Sequence, residues 1–257
     1  MIQAQPLLKR VVRKLNSVLN YEAPDPLLAF IQTNVRQSIP SFMLSADDDV
    51  ARPSAKLVKL VMNAGLRAQE IDLKPIAKTF APDMANYLQL WPGEHYRFLA
   101  ALVELTQPKL IIEIGTGTGS GALTMKSFLP ADGKVVTYDV VPWQQMENTG
   151  IRAEHIDSQF EQRTCDLTQA SVAETQASLF READMIFVDA LKDGFMERYF
   201  AEWFDKIGLP KNPLVVFDDI HMKTSLPTWR KIPYSKFNAT SLGHWTGTGL
   251  VEWGKKA

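Results

Sequence analysis

The sequence predicts a doubly wound α/β fold: a mostly parallel, seven-stranded sheet with helices on both faces, an antiparallel C-terminal hairpin and an N-terminal helical extension. Three observations predict it. From Lys109 onward, short apolar runs alternate with helical patterns, the rhythm of parallel strands joined by crossover helices. The first run, "KLIIEIG", opens directly into glycines at Gly115, Gly117, Gly119 and Gly121. Near the C-terminus, "KFNATSLGHWTGTGLVEW" reads as two strand-like runs around a glycine-containing turn, which adds antiparallel strands at one edge.

Taken in order, the chain up to about Leu90 reads as helices broken near Pro40, Pro53, Pro75 and Pro82. "LLKRVVRKLNSVL" is an amphipathic helix whose basic face, Lys9, Arg10, Arg13 and Lys14, is read as a solvated face on its own domain. "ADDDVARPSAKLVKLVMNAGL" is a further helix, with acids before it, Pro53 near its start and Gly65 at its end. "GEHYRFLAALVELTQ" is a helix that leads straight to the glycines. The expected division is a helical extension over residues 1–85 and a main domain over residues 86–257. The main domain then alternates the strands "KLIIEIG", "GKVVTYDVV", "EQRTCDL", "ADMIFVDA" and "NPLVVFDD" with the helices "GALTMKSFLP", "SVAETQASLFR" and "MERYFAEWFDKIG". Apolar faces of the extension must be covered, within one chain as a lid or between two chains of a homodimer.

Composition narrows the setting. The 257 residues are 46% hydrophobic and 22% charged, the balance of an ordinary globular chain. A formal net charge of -1 offers no global field to nucleic acid or an anionic membrane. Cys165 is the only cysteine, which excludes an intrachain disulfide framework and suits a reducing compartment. No uninterrupted apolar stretch marks a signal peptide, and none approaches the roughly 18 residues of a membrane span. The expectation is a cytoplasmic protein with neither nucleic-acid nor membrane partners.

Glycines after a first buried strand allow a tight turn and close approach of a ligand to the backbone. A dinucleotide places its pyrophosphate on the helix N-terminus with the spacing G-x-G-x-x-G. Here Gly115 and Gly117 are followed three residues later by Ser120. The pattern present is E-x-G-x-G-x-G over residues 113–119. Glu113 brings like charge to a phosphate and suits a cationic ligand instead. S-adenosylmethionine is such a ligand, with a sulfonium, an ammonium and no phosphate. Asp139 ends the next strand, 22 residues after Gly117, where an acid accepts ribose hydroxyls of either cofactor type. Asp166 falls at the end of the third strand, where an adenine edge would lie.

"IIEIGTGTGSG" followed by "VVTYD" resembles the cofactor motifs of the class I S-adenosylmethionine-dependent methyltransferases, over roughly residues 91–253. The first 80 or so residues match no family motif. This resemblance implies a Rossmann-like methyltransferase fold in which Glu113, Gly115, Thr116, Gly117, Gly119, Ser120, Asp139, Asp166 and Asp189 bind S-adenosylmethionine. Residues 91–95 are a further candidate, because that region often lies over the cofactor in this superfamily.

Two more acidic clusters stand at strand ends. "FVDALKDG" contains Asp189 and Lys192, and "VVFDDIH" contains Asp218, Asp219 and His221. Helix capping is the plain reading of Asp189 and Asp193. Adjacent strand residues face opposite sides, so Asp218 and Asp219 reach one site only if the strand has given way to loop. A buried pair of acids also repels itself unless a cation or strong donors compensate. The spacing D-x-x-K, then an acid pair after the next strand, resembles the cation-dependent catechol and caffeoyl-CoA O-methyltransferases. That resemblance implies Asp189, Asp218 and Asp219 as ligands of Mg²⁺ or another divalent cation, Lys192 as base and a small hydroxylated molecule as acceptor. The family usually has Asn where Asp219 stands. "DDIH" is also similar to bacterial methyltransferases acting on sugars or natural products, some of them metal-free, with His221 as an alternative base.

Other functions stay open on the residues alone. One is a metal-independent methyltransferase acting on a sugar or natural product. Another is an NAD(P)-dependent oxidoreductase, disfavoured by Glu113 and the missing third glycine. A non-catalytic interaction module is disfavoured by the acids. Trp143 and Trp245 are candidates to stack on a substrate ring, with packing as the plain alternative. "GHWTGTG" reads as a hairpin turn, and Cys165 as an inert small apolar residue.

Overall fold

The computed structural model describes residues 51–89 and 95–256. The amphipathic helix read at residues 7–19 and the candidate segment at residues 91–94 lie outside the described residues. Seven strands form one sheet: β1 (Leu110–Ile114), β2 (Lys134–Asp139), β3 (Phe160–Thr164), β4 (Met185–Val188), β5 (Leu214–Asp218), β6 (Tyr234–Asn238) and β7 (Thr248–Lys256). Eight α-helices are described: α1 (Ala55–Ala68), α2 (Lys74–Ala77), α3 (Pro82–Tyr87), α4 (Tyr96–Thr106), α5 (Ser120–Ser127), α6 (Ala170–Arg181), α7 (Phe195–Ile207) and α8 (Leu226–Lys231).

The order across the sheet is β3-β2-β1-β4-β5-β7-β6. Strands β1 to β5 are parallel, while β7 runs antiparallel to both β5 and β6. The expected C-terminal hairpin is therefore present, with its second arm inserted beside β5 and its first arm at the edge. Side chains of consecutive strand residues enter opposite cores. Ile111, Val135, Phe187, Val216 and Leu250 pack on one face, and Ile112, Val136, Ile186, Val215 and Val251 on the other. A sheet covered on both faces needs apolar residues at both parities, which is why β1, β4 and β5 read as mostly apolar runs. Helices α1, α4 and α5 supply the first cover through residues such as Leu57, Phe98 and Leu123. The second comes from α6 and α7, where Phe180, Phe200, Trp203 and Phe204 meet ring to ring.

The described part of the N-terminal stretch shares the first core. Ser54 caps α1 by accepting the Leu57 N–H at 3.0 Å, and its hydroxyl donates to Glu252 of β7 at 2.5 Å. Helix α1 runs past Gly65, where the sequence pattern placed its end, to Ala68. The reason is packing: Leu242 lies against Gly65, and a Cβ there would stand 2.9 Å from Leu242 Cδ1.

β1 has β2 on one side and β4 on the other, so the chain leaves the middle of the sheet in both directions. The crossover helices consequently diverge at the carboxyl ends of β1 and β4, and a crevice opens there. Gly121, in the first turn of α5, packs against that part of the sheet. A side chain on it would collide with the Glu113 carboxyl and come within 3.0 Å of Phe187 Cε1. Glycine to alanine inside a helix normally stabilises by about 1 kcal/mol. Here Gly121→Ala is expected to destabilise by roughly 1–3 kcal/mol, the range for overpacking a filled core. Urea denaturation reads the sign directly, and a stabilised variant would refute this packing.

Candidate active site

The glycine turn follows β1 without delay. Gly115 has φ +99°, in the left-handed region, and its N–H donates to the Tyr138 carbonyl at 2.8 Å. Any side chain there would strike the carbonyl oxygen of Asp189, so glycine is required on both counts. Gly117 N–H donates to Asp139 Oδ2 at 3.0 Å, and Val141 N–H donates to Asp139 Oδ1 at 3.0 Å. These two bonds fix the acid at the tip of β2. Beside it lies a cavity of about 390 Å³, lined by Gly115, Gly117, Asp139, Asp166, Asp189 and their apolar neighbours. That size falls within the range of small-molecule sites. Asp166 accepts both the side-chain and backbone donors of Thr168, at 2.6 and 2.9 Å, and these bonds hold its carboxyl below the usual range.

The remaining residues of the glycine motif build the turn from behind. Gly119 starts α5 with φ +88°, and Ser120 Oγ pairs with Thr118 Oγ1 at 3.0 Å. Thr116 Oγ1 lies 2.8 Å from Thr137 Oγ1, which donates to Glu113 Oε2 at 2.5 Å. Glu113 is only 1% exposed and turns its carboxyl toward Thr137 and Gly121 rather than into the open cavity. Burial pushes its pKa well above the ordinary 4.5, with Asp189 and Asp139 adding to the effect and the Thr137 bond opposing it.

The acidic cluster assembles from two neighbouring strand ends. Asp189 follows β4 and donates its N–H to the Ile114 carbonyl at 2.9 Å. Lys192 folds back so that its Nζ donates to Asp189 Oδ1 at 2.9 Å, and lies 3.6 Å from Asp218 Oδ2 and 3.8 Å from Asp219 Oδ2. Asp218 is the last residue of β5, and Asp219 turns into the left-handed region with φ 58°. That turn is how two adjacent acids come to face one site. Asp and Asn are the non-glycine residues that tolerate this region best, a property Asp219 shares with the Asn usual in the resembling family. Carboxylate oxygens of Asp189, Asp218 and Asp219 lie within 4.8 Å of one another.

Two histidines complete the surroundings of Asp218. His244 Nε2 lies 2.5 Å from Asp218 Oδ1, and His95 Nδ1 lies 3.2 Å from the same oxygen. Burial pulls the Asp218 pKa upward, but His244, Lys192 and His95 outweigh it and hold this carboxyl well below its usual range. Asp189 and Asp219 go the other way, raised first by burial and then by the charge of Asp218. Burial works against the Lys192 ammonium, yet the three acids raise its pKa above the ordinary lysine value.

His221 occupies a different position. Its Nε2 is 2.7 Å from Asn238 Nδ2, its N–H donates to the Thr246 carbonyl at 2.9 Å, and burial lowers its pKa. Besides His95, the imidazole that meets Asp218 is His244, from the stretch read as a turn. Its only sequence signal was a histidine following a strand, and the long-range pairing of Asp218 with Thr248 is what brings it in. Trp245 beside it is about half exposed, whereas Trp143 packs against the first core.

Glu113 supplies a test of the turn. Its folded pKa is raised, so its contribution to stability is fully present below the unfolded value near 4.5 and is lost as pH rises through the folded value. Glu113→Gln is therefore expected to raise the melting temperature relative to the parent at neutral pH, with the advantage vanishing toward pH 4. Melting curves across that range check it, and an advantage that grows on acidification would contradict the raised pKa of the buried carboxyl.

Known proteins are similar to this chain. The chain is 31% identical over 132 residues to catechol O-methyltransferase of Niastella koreensis, a match covering 48% of this chain and 55% of that protein. The chain spans about half the length of the curated relatives it matches. A solved methyltransferase from Geobacter sulfurreducens superposes with a TM-score of 0.51 at 17% identity, covering 79% of this chain and 98% of that one, a likeness of fold. The sequence pattern of the O-methyltransferase family matches residues 69–224, more than half of the length. The chain therefore belongs to the O-methyltransferase family and carries the fold of class I S-adenosylmethionine-dependent methyltransferases.

Proposed function

We propose that the protein transfers a methyl group from S-adenosylmethionine to a hydroxyl of a small molecule, with a divalent cation held by Asp189, Asp218 and Asp219. The observation that carries this reading is the double position of Asp189. It lines the cofactor-sized cavity, and its carboxylate belongs to the acidic cluster. The two halves of a methyl transfer thus meet at one residue. Positioning supplies much of the rate effect in an in-line displacement at carbon, and a shared residue fixes the distance between donor and acceptor.

The donor set fits a hard cation, since all three side chains offer oxygen. When fully ionised, three carboxylates face one ammonium, and a buried surplus of negative charge is costly. A divalent cation bound there would lower the pKa of a hydroxyl that coordinates it. Asp139, pinned by Gly117 and Val141, has lone pairs left for ribose hydroxyls. Lys192 is the amine placed to take the acceptor's proton, provided the carboxylates that hold it as ammonium are engaged elsewhere.

One observation favours a second reading, a metal-independent methyltransferase on a sugar or natural product. The Lys192 ammonium already reaches all three acids and acts as a built-in cation. Chelation separates the two. Turnover on a panel of catechols and hydroxylated natural products is expected to stop in EDTA and return with Mg²⁺ or Mn²⁺, whereas unchanged turnover would select the metal-free reading. The cofactor is tested by calorimetric titration of S-adenosylhomocysteine and, separately, NADH. Binding is expected for the first alone. Asp139→Ala should weaken it about 10–100-fold, as loss of hydrogen bonds to a charged group does. NADH binding without S-adenosylhomocysteine binding would overturn the proposal.

A further inference from the structure

We propose that His95, Asp218 and His244 form a second metal position that takes a divalent transition-metal ion such as Co²⁺ or Zn²⁺, beside the all-oxygen cluster and sharing Asp218 with it. Their ligand atoms lie within 4.8 Å of one another, and all three residues are buried. They come from three separate elements: His95 from the start of α4, Asp218 from the end of β5 and His244 from the connection between β6 and β7. Asp218 divides its oxygens between the two positions. Oδ2 faces Lys192 at 3.6 Å, while Oδ1 faces His244 at 2.5 Å and His95 at 3.2 Å.

The imidazoles are set as ligands rather than as ordinary core polar groups. His244 Nδ1 pairs with Thr246 Oγ1 at 2.9 Å, the outer-shell contact that fixes ring orientation in ligating histidines, and this turns Nε2 toward Asp218 Oδ1, where an ion would bridge the two. His95 is 3% exposed, and neither of its nitrogens has an aligned hydrogen-bond partner among the described residues, although Nδ1 points at Asp218. A buried nitrogen without a well-aligned bond is costly, and an ion between Nδ1 and Asp218 Oδ1 would supply one. Edge contacts with Tyr96, Phe187 and His244 hold the ring in place. Metal–ligand bonds of about 2.0–2.2 Å require ligand atoms roughly 3 Å apart. The His95–Asp218 pair already has that spacing at 3.2 Å, and the His244–Asp218 contact of 2.5 Å would have to open to reach it. Two imidazoles and one carboxylate suit a borderline ion, whereas three carboxylates suit Mg²⁺.

This position lies beyond the proposed methyl transfer and is tested without it. The full chain is titrated with CoCl₂ and followed by visible absorption, which distinguishes nitrogen-containing, low-coordinate Co²⁺ from the weak bands of an all-oxygen octahedral site. One Co²⁺ with strong bands is expected. His244→Ala and His95→Gln should each weaken it by at least about ten-fold, while Asp189→Ala leaves it within about threefold. Mg²⁺ titration of the same proteins reports the oxygen cluster separately, so failure at one position is not failure at the other. Thermal melts show whether each variant is folded. Paramagnetic shifts of the His95 and His244 ring protons in the unaltered protein need no variant at all. Strong bands that persist in both histidine variants, bands lost only with Asp189, unshifted ring protons, or no Co²⁺ binding at all would each overturn the proposal.

Discussion

The site depends on keeping Asp218 ionised where little water reaches it. Burying a carboxylate costs several kcal/mol unless it is paired and hydrogen-bonded. Asp218 is 5% exposed, and Lys192, His244 and His95 converge on it from three directions. Each of those groups needs its own support. Lys192 is held because its carbonyl accepts the Thr224 hydroxyl at 2.8 Å. The His244 loop is tied down by two backbone bonds, Ile220 N–H to the Gly247 carbonyl and His221 N–H to the Thr246 carbonyl. Asp219 must leave the strand direction at once for its acid to join, and its left-handed backbone does that. His221 thus supports the loop that presents His244.

The glycine turn and the acidic cluster are one constraint, although they lie far apart in sequence. Gly115 lacks a side chain because the Asp189 carbonyl occupies the space, and Asp189 is bonded through its own N–H to Ile114. A residue larger than glycine at this point would push Asp189 away from both the cavity and Lys192. The motif glycine therefore protects the chemistry at the end of β4 as well as the approach of a cofactor to the backbone.

Much of this was legible in the sequence, for a physical reason. Strands buried on both faces must be apolar throughout, so acids at their carboxyl ends stand out, and Asp139, Asp189 and Asp218 were found that way. Whether Asp218 and Asp219 could share a site was not legible, because it depends on one backbone dihedral. Glu113 was read as an acid suited to a cationic ligand, and strand parity puts it on the face covered by α5, where it is buried. Gly65 looked like a helix end because its partner, Leu242, is remote in sequence. Lys236 gave no signal. It is 3% exposed, and its ammonium donates to the Trp229 and Ile232 carbonyls at the end of α8, at 2.6 and 2.8 Å.

His244 was missed because its place is set by β7 lying beside β5 instead of at the edge. The register pairs Asp218 with Thr248, four residues beyond the histidine. A one-residue slip would turn every side chain of β7 to the wrong face, exchanging Leu250 and Val251 between the two cores and carrying His244 away from Asp218. The alternative arrangement, with β6 beside β5, is opposed by β6 itself. It carries the inward-pointing charge of Lys236 and a register irregularity between Tyr234 and Lys236, both devices that suit an edge strand and spoil a central one. Lys236 is buried where the Trp229 and Ile232 carbonyls receive its ammonium. With β6 outermost, β7 takes the place beside β5, and its register sets the His244 imidazole against Asp218.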